Sequence, residues 1–245
     1  MKVRRAGSSA DARTLIERQI RRWDRLAAVL KTRRGERPLA EVSKRPVLTV
    51  SGLTGGGRER LAVALSKEFD YELYGRELLD AVATDLSCQR RLLESLDEKV
   101  QSNIKLRFES WLRGRDIEDH DYIRALFRVM EALATEGGAV LLGRGGAFIL
   151  GEKAALRIRA VAPLEKRIRR IQEGWKVAEA EARRIIEQKD KEKTDFCRRH
   201  FQHDISDPLV YDLTINTARL EPEKAVGIVR SALAQRGIEI RKAAD

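Results

Sequence analysis

A dense group of glycines gives this chain its most informative chemical pattern. Four glycines lie within six positions, at Gly52, Gly55, Gly56 and Gly57. Glycine lets a backbone turn tightly and direct successive N–H groups towards one point, where they can bind phosphate oxygens. The spacing of Gly52 and Gly57 matches a phosphate-binding loop of the form G-x-x-x-x-G-K-[ST]. We therefore expect this loop to bind the phosphates of a donor nucleotide, and the alternative is a glycine-rich turn without a ligand.

The two residues after the glycines depart from that pattern. Arg58 stands where a lysine is expected, and Glu59 stands where a magnesium-holding hydroxyl is expected. Arg58 keeps the positive charge but presents a planar fork instead of a compact ammonium group. The carboxylate of Glu59 can bind Mg²⁺, yet it also repels phosphate. We count both residues as donor-site candidates, and Arg58 also as a catalytic candidate.

The segments on both sides of the loop suit a phosphate site. Residues 47–50 form an apolar run rich in β-branched side chains, which is typical of a buried strand. After the loop, apolar residues recur at helical spacing, at Leu61, Ala62, Ala64 and Leu65. A strand, a glycine-rich turn and a helix in this order point the positive end of the helix dipole at a bound phosphate.

Strands and helices alternate along the rest of the chain. Short apolar runs predict further strands at 70–74, 139–142, 156–161 and 211–216. Amphipathic or charged stretches predict helices at 58–69, 86–112, 122–134, 178–189 and 222–235. This alternation predicts an α/β fold in which helices cover both faces of a parallel sheet.

The composition indicates the size class of the protein and the cellular compartment in which we expect it. The 245 residues are 42% hydrophobic, which is enough for one α/β domain with an appendage. No apolar run approaches the roughly 20 residues of a membrane span, and we expect no secretory signal. Cys88 and Cys197 lie far apart and form no metal motif, so we expect no metal site of cysteines and a reduced, cytoplasmic setting.

Positive charge is concentrated at the N-terminus. Residues 1–44 carry +8 of the formal net charge of +11, which predicts a basic extension and linker at 1–44 and a separate domain at 45–245. Within the extension, apolar residues at helical spacing predict a helix at 11–31. Its single apolar stripe consists of Ile16, Ile20, Trp23, Ala27 and Leu30. We expect this helix to pack on the body, on a second copy or on a protein partner. Binding to nucleic acid or acidic lipid is the less favoured alternative, because aromatic platforms for bases are missing.

Seven stretches in a fixed order together resemble the cytidylate kinase-like family of P-loop nucleoside monophosphate kinases. They are S-G-L-T-G-G-G-R-E, Y-E-L-Y-G-R-E-L-L-D, L-D-E-K, V-L-L-G-R-G-G-A-F-I-L, A-P-L-E-K-R-I-R-R-I, K-D-K-E-K and Y-D-L-T-I-N-T. The resemblance as a whole covers roughly 46–233 and leaves the N-terminal extension outside. The resemblance implies a P-loop NTPase three-layer fold with a five-stranded parallel sheet. It also implies ATP with Mg²⁺ as the phosphoryl donor and CMP or dCMP as the acceptor.

Phosphoryl transfer requires cations that converge on two phosphate groups. By resemblance, Arg76 and Arg144 belong to the acceptor site, and Lys191 and Lys193 belong to a lid over the transferring phosphate. Arg170 is a further catalytic candidate, and Arg167 lies one helical turn before it. Arg167 and Arg170 belong to a predicted basic helix, and the charged face of such a helix is often only solvated. Arg144, in contrast, lies between glycines at a strand end, where open parallel sheets bind ligands.

The departures from the family pattern leave two hypotheses open. Lysines occupy the lid positions where arginine is common, and Gly75 and Gly145 occupy positions where relatives commonly carry aspartate. The first hypothesis is a nucleoside monophosphate kinase. The second is a catalytically weak or inactive module that binds a nucleotide or anion and contacts a partner through its basic helix. A nucleic-acid-binding protein built on this fold is a weaker third reading.

Overall fold

A five-stranded sheet carries the glycine-rich loop. The computed structural model describes residues 45–94, 96, 98–115 and 120–238, so the predicted extension at 1–44 and its helix at 11–31 lie outside the described residues. The strands are β1 (Val47–Gly52), β2 (Glu72–Tyr74), β3 (Ala139–Leu142), β4 (Leu156–Val161) and β5 (Leu213–Asn216). Their order in the sheet is β2-β3-β1-β4-β5, which places β1 at the centre.

Helices connect the strands. They are α1 (Arg58–Phe69), α2 (Arg76–Thr84), α3 (Leu86–Glu94), α4 (Glu98–Leu112), α5 (His120–Glu136), α6 (Gly146–Leu150), α7 (Leu164–Trp175), α8 (Glu179–Phe201) and α9 (Pro222–Gln235). Among the described residues, no helix is both long enough and apolar enough to cross a membrane.

The sheet pairings confirm the predicted parallel α/β fold. β1 pairs in parallel with β3 and with β4, and β4 pairs in parallel with β5. Parallel strands place their carboxyl ends at one edge of the sheet, which is where open α/β sheets bind ligands. The loop after β1 and the turn after β3 both lie at this edge.

The central strand is buried on both faces because helices cover the sheet from two sides. Residues 47–50 are all nearly inaccessible, as expected for a parallel strand in the middle of a sheet. On one face, Leu48 and Val50 pack with Leu61 and Leu65 of α1 and with Val229 of α9. This packing fixes the start of α1 relative to the end of β1, and so fixes the loop between them.

The described residues fall into two compact units. One contains Tyr74–Glu136, in which α5 packs with α2, α3 and α4. Leu126 and Met130 are fully buried in this unit, where Arg107 forms an ion pair of 3.0 Å with the buried Glu131. The other unit begins with Arg45–Leu73, resumes at Gly137, and carries the glycine-rich loop.

The two largest differences from the predicted boundaries lie in helices. The helix predicted at 178–189 continues to Phe201 as α8, so the K-D-K-E-K stretch is helical. No glycine or proline interrupts 179–201, and side chains at helical spacing pair along it, for example Lys193 with Asp190 at 3.2 Å. The helical stretch predicted at 86–112 is divided into α3 and α4.

Candidate phosphate-binding site

The glycine-rich loop packs closely against the neighbouring strand. A Cβ atom at Gly52 would lie 2.3 Å from the carbonyl oxygen of Ala160 on β4, and Gly52 has φ +153°. Only glycine fits this position, because the obstacle is backbone and cannot rotate away. Gly57, with φ 87°, then precedes the first residue of α1. The sequence therefore folds here into the strand, turn and helix expected for a phosphate-binding loop.

Arg170 and Thr217 hold the middle of the loop through its carbonyl groups. Arg170 on α7 donates to the Gly55 carbonyl at 3.1 Å, and to the hydroxyl and carbonyl oxygens of Thr217 at 2.8 and 2.7 Å. The Thr217 hydroxyl donates in turn to the Gly56 carbonyl at 2.7 Å. These bonds fix the carbonyl groups of Gly55 and Gly56 and leave other N–H groups of the loop free to act as donors.

Those N–H groups remain available as donors. Within the described part of the chain, the amides of Gly55, Gly57 and Arg58 have no hydrogen-bond acceptor. Two of them lie at the start of α1, where helix N–H groups lack partners within the helix. Amides without an acceptor at the start of a helix can bind an anion.

An ion-pair cluster contacts the loop and consists of Lys193, Asp190 and Arg167. Lys193 donates to the Gly52 carbonyl at 3.2 Å and to the Thr54 hydroxyl at 2.7 Å. Asp190 lies 3.2 Å from Lys193, pairs with Arg167, and accepts the Thr54 N–H at 2.8 Å. Arg167 also donates to the Thr54 carbonyl at 3.3 Å. α7 and α8 therefore bring two cations and one carboxylate to the loop.

The protonation state of Lys193 depends on what lies beside it. Burial lowers the pKa of Lys193 to about 8, and the positive charge of Arg58 adds to this effect. Asp190 and Glu59 act in the opposite direction and favour the charged form. A polyphosphate at the loop would add further negative charge and raise the pKa of Lys193.

We expect triphosphate binding to take up protons at alkaline pH. At about pH 8.5, which is above the pKa of Lys193 in the free protein, the amine is largely neutral. Binding that raises this pKa should therefore make each protein molecule take up about half a proton or more. Near pH 7, uptake should be small, because Lys193 is already charged. Calorimetric titration of ATP in buffers of different ionisation enthalpy measures this number. Lys193→Arg is the matched control and should show no uptake, whereas equal uptake in both proteins would contradict the assignment to Lys193.

Arg58 connects the loop to the turn that follows β3. Its side chain is mostly buried and forms an ion pair with Glu59 at 2.8 Å. Partial burial favours the neutral acid, but the guanidinium of Arg58 outweighs it and lowers the pKa of Glu59. A Cβ atom at Gly143 would lie 3.6 Å from Nη1 of Arg58. The predicted donor-site cation is therefore a close neighbour of the turn that carries Arg144.

Arg144 takes an unusual backbone conformation in this turn. It has φ 49°, a left-handed value that is uncommon outside glycine. Its guanidinium lies 4.9 Å from the ring centroid of Phe196 on α8, close enough for a cation–π contact. The next residue, Gly145, leaves room for the buried ring of Phe201, since a Cβ atom there would lie 2.1 Å from that ring. Two aromatic residues of α8 thus shape the predicted acceptor turn.

For two predicted site residues, the structure shows only the surroundings on their own helices. Lys191 is exposed on α8, and its side chain forms no ion pair or hydrogen bond with the described residues. Arg76 begins α2 in the unit containing Tyr74–Glu136, where it lies 3.7 Å from Asp80 on its own helix. The roles of Lys191 and Arg76 remain predictions.

Sequence reasoning missed three polar residues of the loop cluster. Asp190 stands directly between Lys189 and Lys191. An acid inside a basic stretch was the sequence feature that could have pointed to it. Thr217 directly follows β5, at the strand edge where parallel sheets bind ligands. Thr54 gave no signal, because its importance depends on contacts with residues far along the chain.

The cluster as a whole is suited to binding polyphosphate. Four cationic side chains and two carboxylates meet at the loop, which leaves an excess of two positive charges: Arg58, Arg167, Arg170 and Lys193 against Glu59 and Asp190. Charge-assisted hydrogen bonds from arginine and lysine are among the stronger polar contacts in proteins. Multiple cations beside free backbone amides favour an anion with several oxygens over a single carboxylate.

Comparisons with known proteins agree with this architecture. Residues 47–219 match the family model described as the cytidylate kinase-like family. A cytidylate kinase of Halobacterium salinarum is 27% identical, over 76% of this chain and 88% of that protein. One from Thermococcus kodakarensis is 29% identical, over 76% and 87%. A crystal structure of an uncharacterized protein from Eubacterium ventriosum covers 78% of this chain and 100% of its own, with a TM-score of 0.59 and 18% identity, and supports the fold. The match to the family model covers well over half of the chain, and the protein belongs to the cytidylate kinase-like family.

Proposed function

We propose that the chain is a nucleoside monophosphate kinase, which transfers the terminal phosphoryl group of ATP to CMP, dCMP or a related monophosphate. The observation that carries this proposal is the meeting of Arg167, Arg170 and Lys193 at the glycine-rich loop. Phosphoryl transfer depends mainly on positioning and on neutralising charge, and this arrangement supplies both. The names of the relatives support the same reaction class.

The residues have distinct roles in this proposal. A phosphate oxygen of the acceptor forms a bond to the terminal phosphorus of ATP, and the bond from that phosphorus to the bridging oxygen of ADP breaks. Arg58 and Lys193 neutralise charge on the donor phosphates, and the free loop amides bind their oxygens. Arg144 holds the acceptor phosphate through its two-pronged guanidinium. The neighbouring positions of Arg58 and Gly143 support a short path between donor and acceptor.

ATP is proposed to bind together with Mg²⁺, which supplies charge neutralisation at the phosphate oxygens. Glu59 is the proposed protein ligand, because its carboxylate is about half exposed at the start of α1. Magnesium bound to a nucleotide usually takes only one or two carboxylates and completes its ligands with phosphate and water. One carboxylate at the loop is therefore chemically sufficient.

A second candidate function is nucleotide or anion binding without catalysis. The ion pair between Arg58 and Glu59 favours it, because the carboxylate partly neutralises the cation nearest the loop. Such a module would still bind polyphosphate through Lys193, Arg167 and the free amides. It would not release ADP faster than ATP hydrolyses without protein.

An ADP-release assay separates the two candidates. Purified full-length protein is supplied with ATP and Mg²⁺, and ADP is measured by a coupled reaction with CMP, dCMP, UMP, AMP or GMP. Acceptor-dependent ADP release, strongest with a pyrimidine monophosphate, is the expected result. ATP binding without acceptor-dependent ADP release would replace the kinase proposal with the binding module.

We expect Arg144→Lys to damage the acceptor site without unfolding the protein. Lysine keeps the charge but cannot bind two phosphate oxygens in a fork, nor stack as well on Phe196. The acceptor KM should rise, or kcat should fall, by at least about tenfold, which corresponds to roughly 1.4 kcal/mol. The melting temperature should stay nearly unchanged.

Arg230→Lys is the matched control for Arg144→Lys. Arg230 pairs with Glu68, an ion pair that joins α9 to α1, so the same substitution there should leave acceptor kinetics unchanged. If the wild-type protein has no kinase activity, calorimetric binding of CMP replaces kinetics as the readout. Equal CMP affinity in wild type and Arg144→Lys would remove Arg144 from the acceptor site.

A further inference from the structure

The glycine-rich loop already holds a negatively charged group from the protein itself. Oδ1 of Asp190 accepts the N–H of Thr54 at 2.8 Å, and Thr54 is almost fully buried. Asp190 is also paired with Arg167 and with Lys193, at 3.2 Å from the latter. A backbone amide of the loop, a guanidinium and an ammonium group thus surround one carboxylate. These are the kinds of donor that a phosphate group uses.

The carboxylate is well stabilised in this position. Burial of Asp190 favours its neutral form, but the Thr54 N–H and the charge of Lys193 outweigh burial and lower its pKa. Asp190 is therefore ionised at neutral pH and supplies a full negative charge to the loop. Its side chain is still 20% exposed, so an incoming anion can reach it without unfolding the helix.

We propose that Asp190 occupies part of the donor-phosphate site in the nucleotide-free protein, and that a polyphosphate binds by displacing it. This inference rests on the proposed assignment of the glycine-rich loop to donor phosphates. On displacement, Arg167 and Lys193 exchange one carboxylate for phosphate oxygens, and the Thr54 N–H becomes a donor to the ligand. Asp190 is then an internal competitor that lowers the apparent affinity for the donor.

The effect of this competition on the measured Kd depends on the fraction of molecules in which Asp190 has left the loop. If the carboxylate leaves the loop only about one-tenth of the time, the measured Kd is about tenfold higher than the Kd of the open loop. Removing the carboxylate should then tighten polyphosphate binding by about the same factor. The loss of one nearby negative charge adds to the effect in the same direction.

The alternative role for Asp190 predicts the opposite sign. A carboxylate that merely orients Arg167 and Lys193 is needed for binding, so its removal would leave both cations less ordered. Polyphosphate affinity would then fall. The direction of the change in affinity therefore separates internal competition from simple positioning.

Calorimetric titration of the full chain with inorganic tripolyphosphate tests the proposal without a nucleoside. We expect Asp190→Ala to bind it about five- to tenfold more tightly than wild type. Asp195→Ala removes the same charge from the same helix, at a residue outside the loop contacts, and should change affinity about twofold or less. Asp190→Asn removes only the charge and decides the question if the alanine variant does not fold.

Hydrogen exchange of the Thr54 amide gives a second readout that needs no ligand. Exchange should be slow in wild type and faster in Asp190→Ala, because the acceptor is removed. Equal or weaker tripolyphosphate binding in the folded Asp190 variants would overturn the proposal, as would absence of binding in every protein tested. Tighter binding by the variants, in a protein without ADP release, would uphold the internal competitor and reject the kinase.

Discussion

Gly52→Ala is expected to lower the free energy of unfolding by roughly 2–4 kcal/mol. The new Cβ atom would lie 2.3 Å from the carbonyl oxygen of Ala160, on a strand paired directly with β1. Neither strand can move away without breaking the ladder between them. Chemical denaturation followed by circular dichroism measures the loss. ATP affinity should fall as well, because the loop starts at this residue.

Gly174→Ala is the matched control for the glycine substitution. Gly174 lies in α7, where a Cβ atom would meet nothing within 4 Å. Alanine should stabilise the protein there by about 0.5–1 kcal/mol, because glycine is unfavourable within helices. If Gly52→Ala unfolds at the same denaturant concentration as wild type, the close approach to Ala160 does not constrain the loop.

Lys193→Met is expected to lower kcat by at least about a hundredfold, the equivalent of roughly 2.7 kcal/mol. Lys193 contacts the loop at the Gly52 carbonyl and the Thr54 hydroxyl, so its charge lies where donor phosphates are proposed to bind. Methionine keeps much of the side-chain length but removes the charge. Steady-state kinetics with ATP and the preferred acceptor measures the effect.

Two further variants make the Lys193 result specific. Lys193→Arg keeps the charge and should retain kcat within about tenfold of wild type. Lys166→Met removes a charge from an exposed position of α7 and should leave kcat unchanged. A Lys193→Met protein that keeps more than about one-third of wild-type kcat would exclude the side chain from charge neutralisation.

Much of the fold was predictable because local patterns specify it. The predicted limits of β3, β4, α1 and α9 agree with the structure, since short apolar runs and apolar spacing act within a few residues. The predicted strand at 211–216 was less accurate. Tyr211 and Asp212 precede β5, and Asp212 instead binds Arg157 through two side-chain hydrogen bonds. That pairing joins residues far apart in sequence, and no local pattern reveals it.

The glycine-rich loop, its cations and Glu59 were the predictable parts of the candidate site. Arg58, Arg167, Arg170 and Lys193 could be selected because phosphate chemistry requires positive charge after strands and at a lid. Asp190, the partner of Arg167 and Lys193, could not be selected, because its contact with Thr54 spans 136 residues of sequence. Asp190 lies in α8, which begins before the K-D-K-E-K stretch and ends after it. The direction in which the Asp190 side chain points therefore depends on how the whole helix packs.

The close contact at Gly145 restricts how this protein can evolve. The ring of Phe201 fills the space that any side chain at position 145 would need, and Phe201 is almost fully buried. A mutation that adds a side chain at 145 would be selected against while phenylalanine remains at 201. Any side chain at 145 therefore needs a smaller residue at 201 first, and it must still adopt the left-handed backbone at 145, where φ is +71°. The smaller residue at 201 itself loses aromatic contacts with Phe148 and Phe196, so the first step of such a change is unfavourable.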